Sequence, residues 1–335
     1  MQSFPQDNNS ISAQEATPQI DSSQTSLGKS LLSPFVARSL TCSDYGSFCY
    51  NQRHNLIVDA SEQSIEFYDA TTLKKIKTQD LEDWVACISY CDQIDTYIIA
   101  CDSGFFYSYN ASKDELKELQ KCEGNVPRIE VLDSKFYAFL LIGSKRIYIG
   151  NLENKNVISF GWNNLKPNGL LHMAKYSLLL SSFDNGSVKI FNTNKLPHLQ
   201  VLLSVQTHQN KMIHALQSFC LNGKEYVITS GKDMTLRIWH LVKGRMRLLK
   251  VVRTDGKTAD SVVYLENYNM VAASYEENRI DFFKLPTWRL EKTFCCEFDA
   301  KELFMMKDKD MIGFLSDMGV FGNSIEFVQL HPKEK

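Results

Sequence analysis

His208 and Asp233 are a pair whose residue types invite chemistry in this 335-residue chain. A carboxylate that orients an imidazole is half of a hydrolytic dyad, and a nucleophile must complete it. No GxSxG elbow stands in the sequence to supply one. Cys87, Cys91 and Cys101 offer a second possibility, because their CxxxC spacing looks like half of a zinc site. A structural zinc ion takes four ligands, and no nearby His or further Cys completes a recognised spacing. These thiols therefore read as small apolar core residues. Cys295 and Cys296 are adjacent, and neighbours on a strand point to opposite faces, which separates them chemically. Gly-rich phosphate loops, HExxH and the dinucleotide fingerprint do not occur. Neither a cofactor nor a metal is expected, and the chain reads as a non-enzyme.

A third cluster is basic. The segment KGRMRLLKVVRTDGK (243–257) gathers Lys243, Arg245, Arg247, Lys250, Arg253 and Lys257. On a strand, Arg245 and Arg247 project on one face, where they can jointly meet phosphate or an acidic partner. Charges of this kind also protect an exposed sheet edge from unwanted pairing. Both readings stand at this point.

The elements that must position these groups repeat. Tyr68, Tyr109, Gly150 and Phe191 follow one another at a step of 41 residues, each ending a short alternating apolar strand. The strand ends are SIEFYD (64–69), FFYSYN (105–110), RIYIGN (146–151) and SVKIFN (187–192). TLRIWH (235–240), RIDFFK (279–284) and SIEFVQ (324–329) continue the series at steps of 48, 44 and 45. A period of about 40–45 residues, each unit holding several short strands, is the signature of a β-propeller blade. In each unit a nearly all-apolar second strand, such as TYIIACDS (96–103), precedes the quoted third strand, and a more polar fourth follows. The last unit lacks a fourth strand, whereas PFVARSLT (34–41) precedes the first unit as a spare extended segment. That segment is expected to complete the last blade and close the ring. The fold class is therefore all-β: a single β-propeller of seven four-stranded blades closed by an N-terminal strand. Six or eight blades stay compatible, because the seventh turn is stretched across 316–323.

The segment 207–241 resembles a WD repeat. Thr207-His208 stands where such repeats carry a glycine-histidine pair, Asp233 lies in the turn, and Trp239-His240 replaces the closing Trp-Asp pair. The resemblance implies a buried hydrogen-bond network of His208, Thr229, Asp233 and Trp239 with a structural role. At the turn-Asp position the other units carry Glu62, Ser103, Ser144, Asn185 and Glu277. At the Trp position they carry Tyr68, Tyr109, Gly150, Phe191, Phe283 and Val328. The arginine pair of phosphoinositide-binding propellers is missing, and so is the Arg that follows the Trp-Asp pair in ubiquitin-ligase substrate receptors. Enzymatic propellers line their channel with acids or metal ligands from several blades, and no recurring acid is read at the inner strands.

Residues 1–33 hold eight Ser, five Gln and one aromatic, Phe4, which is too little apolar area to offset ordering entropy. They are expected to form a disordered tail, with the propeller occupying 34–335. The net charge of −2 gives no global pull toward nucleic acid or anionic membrane. No stretch reaches the roughly 18 apolar residues of a membrane span. Nine cysteines without a secretory leader point to a reducing cytoplasmic or nuclear setting. The leading functional reading is a non-catalytic scaffold that binds protein partners within a larger assembly. Its loops 192–210 and 316–323, and Trp84, Trp162 and Trp288, are the candidate contact points, with packing between blades the alternative for each Trp. An RNA- or phosphate-associated propeller using 243–257 is the second reading, and a propeller enzyme is a remote third.

Overall fold

Alternation at period 2 sends successive side chains to opposite sides of a strand, and here both sides are apolar. The consequence is seven four-stranded antiparallel sheets standing side by side. The computed structural model describes residues 36–42, 47–162, 164–276, 278–297, 299–317 and 323–330. The expected disordered tail, the excursion at 318–322 and the last five residues lie outside them.

Each blade runs from an inner strand through a second and third to an outer strand. In blade five these are Ile213–Leu221, Lys224–Gly231, Thr235–Val242 and Arg245–Arg253. Blade seven is assembled from both ends of the chain. Its inner, second and third strands are Asp299–Met306, Met311–Asp317 and Asn323–Gln329. Its outer strand is Val36–Cys42, paired antiparallel with the third strand so that Leu40 opposes Ile325 and Thr41 opposes Ser324. The spare N-terminal segment thus closes the ring.

The core is partitioned between blades. Val58 and Ala60 of blade one pack with Tyr97 and Ile99 of blade two. Ile57, one residue away, turns the other way to Ile325 and Phe327 of blade seven. Similar clusters fill the junctions from blade two round to blade seven. Every second strand thus serves two cores at once, which explains its near-continuous apolar sequence.

One local finding differs from the sequence reading. The 48-residue step does not create a long loop at 192–210, because Gln200–Gln206 is the outer strand of blade four. The extra length lies in the turn before that strand and in the nine- and eight-residue first and second strands of blade five. Glu62 and Ser144 stand two residues before Ser64 and Arg146, which open the third-to-fourth strand pairing as Thr235 does, so both occupy the place of Asp233.

Gly150 at the Trp position has a packing reason. A Cβ there would lie 2.4 Å from the ring of Tyr137, which opposes it across the second and third strands. The fully buried Tyr137 fills from the neighbouring strand the space that a large side chain fills elsewhere.

Removing residues 1–42 is expected to lower the melting temperature of the whole domain, whereas removing 1–30 leaves it unchanged. Thermal denaturation of both truncations followed by circular dichroism checks this, and equal melting temperatures would contradict closure by the N-terminal strand.

Candidate functional site

The four side chains singled out in blade five come together at the top of its second and third strands. Trp239 Nε1 donates to Thr229 Oγ1 at 3.0 Å, and Thr229 Oγ1 lies 2.8 Å from His208 Nε2. His208 Nδ1 lies 2.7 Å from Asp233 Oδ1. A carboxylate only accepts, so Nδ1 carries the proton, Nε2 accepts, and the Thr229 hydroxyl donates to it. The result is one directed chain from indole to carboxylate. His208 and Thr229 are fully buried. Burial holds the imidazole below its ordinary pKa, so it stays neutral. Burial pushes the Asp233 carboxyl up, but hydrogen bonds from Thr235 and His208, together with the Arg237 charge, outweigh it and bring its pKa down. Arg237 reaches Asp233 Oδ2 at 2.8 Å. A Cβ on Gly231 would come within 2.4 Å of the His208 ring, so the histidine fits only against glycine. The hydroxyl that meets the imidazole is that of Thr229, which is fully buried and already accepts from the Trp239 indole, so no substrate can reach it.

The basic residues of 243–257 are spread over several faces. Lys243 lies in the turn before the outer strand of blade five, and Lys257 lies beyond its end in the loop to blade six. Within the strand, Arg245, Arg247 and Lys250 oppose Val242, His240 and Ile238 and share one face. Arg253 opposes Thr235 and lies on the other face. Among the described residues no ion pair neutralises Lys243, Arg245, Arg247, Lys250 or Arg253.

The central channel corrects the reading that the inner strands lack acids. A cavity of about 260 Å³ is lined by Arg128 and Glu130 of blade three, His214 of blade five, Asp260 of blade six and Glu302 of blade seven. Arg128 Nη1 lies 3.8 Å from Glu302 Oε1, and His214 Nδ1 lies 3.4 Å from Asp260 Oδ1. His214 and Asp260 are the extra residues of β-bulges, where the pairing skips from Ile213 to Ala215 and from Ala259 to Ser261. Glu130 Oε1 accepts the backbone amide of His172 at 2.9 Å. Burial pushes the Glu130 carboxyl up to about 7, against the opposing pull of that hydrogen bond and of Arg128. His214 Nε2 has no hydrogen-bond partner among the described residues, so this His-Asp pair also lacks a positioned nucleophile.

A third His-Asp pair, this one joined by a serine, lies between blades one and two, with the carboxylate in the middle. Asp95 accepts from Tyr90 at 2.7 Å and from Ser112, and its Oδ1 lies 2.6 Å from His54 Nε2. A hydrolytic triad needs the histidine between serine and carboxylate, and here Ser112 bonds the carboxylate directly. Burial raises the Asp95 pKa, but the bonds from Ser112, Tyr90 and His54 overcome it and lower the carboxyl to about 2. The cysteines Cys49, Cys101 and Cys296 are pushed up to about 12, chiefly by burial, which suppresses the reactive thiolate. Among the described residues no group of three or more His, Cys, Asp or Glu comes together to hold a metal ion.

The tryptophans divide. Trp162 stacks near Phe160 and packs against Phe191 at 4.8 Å between ring centres, and Trp288 sits 6.2 Å from Phe219. Both serve blade junctions. Trp84 stays 39% exposed, and Ile142 and Met234 are exposed at 65% and 47%. These last three lie in second-to-third turns and blade-to-blade loops, which share one face of the propeller. The sequence reading missed Ile142 and Met234, since a single apolar residue in a turn carries no periodic signal.

No family model matches the chain, and no curated protein matches its sequence. Solved structures do share its fold. The β-propeller domain of Myceliophteria thermophila Cps50 (Swd1) superposes with a TM-score of 0.74 at 9% identity, covering 89% of this chain and 99% of that one. A chain of the mitotic checkpoint complex gives 0.73 at 11% identity, covering 97% and 99%. At these identities the likeness is one of fold. No helix among the described residues is long and apolar enough to cross a membrane.

Asp233→Ala is expected to destabilise the domain by about 1–3 kcal/mol, because His208 and Arg237 lose their acceptor; urea denaturation measures it. The raised Glu130 pKa makes a second expectation. The folded state keeps this proton up to about 7 and the unfolded state releases it near 4.5, so the stabilising protonation is present at low pH and lost as pH rises through 7. Glu130→Gln should therefore match the parent at about pH 4 and melt above it at about pH 8; identical differences at both pH values would contradict this.

Proposed function

We propose that the chain is a non-catalytic scaffold that binds protein partners on the face carrying the second-to-third turns and the blade-to-blade loops. The observation that carries this reading is the trio Trp84, Ile142 and Met234, exposed on backbone that hydrogen bonds pin in place. The Trp84 carbonyl accepts from Asp102 at 2.8 Å, the Ile142 amide donates to Asn125 at 2.9 Å, and the Met234 amide donates to Gly231 at 3.0 Å. Apolar side chains on rigid turns bind at low entropic cost, which is what an interaction anchor requires.

The blade-five network supports descent from a WD repeat, its part being to fasten the blade. We assign residues 34–335 to the propeller and 1–33 to a disordered tail, and place the protein in the cytoplasm or nucleus on its nine cysteines. The His208, His214 and His54 pairs each lack a nucleophile placed to react, which weighs against the enzyme reading. The RNA or phosphate reading rests on the unneutralised cations of the blade-five outer strand and is taken up below.

Affinity purification with the parent chain and with Trp84→Ala/Ile142→Ser/Met234→Ser tests this reading. Proteins retained by the parent and lost with the folded variant are expected. Identical recoveries from both would overturn the assignment of this face.

A further inference from the structure

We propose that the outer edge of blade five binds an extended segment of a partner protein in which acidic and apolar residues alternate. The proposal rests on the scaffold reading and names the chemistry of one partner. Arg245–Arg253 is the fourth and last strand of its sheet, so one of its edges has no strand beside it. At nine residues it exceeds the other outer strands, which span five to seven.

Its two faces differ in kind. Arg245, Arg247 and Lys250 share one face with Val242, His240 and Ile238 of the third strand. Met246, Leu248 and Val251 share the other with Leu241, Trp239 and Arg237. The bulge at Leu249 brings Lys250 to the face of Arg245 and Arg247 and Val251 to that of Met246 and Leu248, whereas an unbroken strand would exchange the two. Beyond it Val252 falls on the cationic face, where it packs into the junction with blade six. Leu248, Leu249 and Val251 are 41, 48 and 42% exposed, and Leu202 on the outer strand of blade four is 45% exposed. Arg253 is the one cation of the apolar face, at its far end.

An edge that charges merely protect has no reason to display three large apolar side chains beside them. Single-stranded RNA stacks its bases on aromatic rings, and residues 242–253 contain none. A strand added at this edge places its own alternate side chains on the same two faces. Acidic residues then meet the unpaired Arg245, Arg247 and Lys250, and apolar residues meet Met246, Leu248 and Val251. The complementarity is thus one of charge and of period.

Fluorescence polarisation with the full chain tests it. The probe is a labelled synthetic peptide of about ten residues alternating Glu and Val. The control has the same composition arranged in blocks of two, and unlabelled oligouridine is the competitor. The alternating peptide should bind and the block peptide should bind about tenfold more weakly. Both R245E/R247E/K250E and L248S/V251S should weaken the alternating peptide by about tenfold or more, from the loss of several cross-strand pairs. Circular dichroism melting verifies that these variants fold, and the single exposed substitution R247Q, expected to weaken binding less, serves if the triple one does not. Equal binding of the two peptides would overturn the proposal. So would unchanged affinity in the folded variants, or oligouridine binding this edge more tightly than the peptide. Failure here leaves the partner-binding face intact, because that assignment is read from Trp84, Ile142 and Met234 alone.

Discussion

A blade of this protein has two apolar faces, and no single blade can bury both. The remainder of the structure follows from that constraint. Ile57 and Val58 are sequence neighbours committed to different cores, one shared with blade seven and the other with blade two. An open row of blades would leave one such face exposed at each end, and only a ring covers all of them. The Val36–Cys42 strand completes the ring by non-covalent means, because it joins the last blade to the chain segment that begins the first. Stability is consequently shared around the circle, and the loops on either face are free to vary.

Individual blades hold their third strand by different means. Blade five uses a polar chain, in which Trp239, Thr229, His208 and Asp233 satisfy one another in sequence. Blade three uses volume, with Tyr137 reaching across to occupy the space left by Gly150. Blade two places Tyr97 opposite Tyr109. Apolar contacts of this kind tolerate many residue combinations, whereas the polar chain requires each member, including Gly231 beneath the histidine ring. That difference explains why one unit keeps a recognisable motif while the others retain only the period.

The architecture was legible in the sequence because burial on both sides writes a near-continuous apolar second strand and a fixed repeat. The turns were legible only in part. Positive φ falls on Glu62 in blade one and Met234 in blade five, residue types that give no hint of it. The channel was hidden for another reason. His214 and Asp260 reach it from β-bulges, and a bulge breaks the alternation that assigns side chains to faces. The same effect decides which residues of the basic segment stand together, since Lys250 joins Arg245 and Arg247 only because Leu249 bulges. Exposed Ile142 and Met234 had no signal, because one apolar residue in a turn looks like any other.

Closure of the ring is the claim on which the rest depends, and hydrogen exchange of its backbone amides reads it most directly. A closing strand that shares the stability of the whole ring opens only when the ring opens. The amides of Ser39, Leu40 and Thr41 that are bonded to the third strand of blade seven should then exchange as slowly as those of Ile325 and Phe327. Fast exchange at Ser39–Thr41, with Ile325 and Phe327 still protected, would show that the N-terminal strand is an ornament on a ring that stands without it.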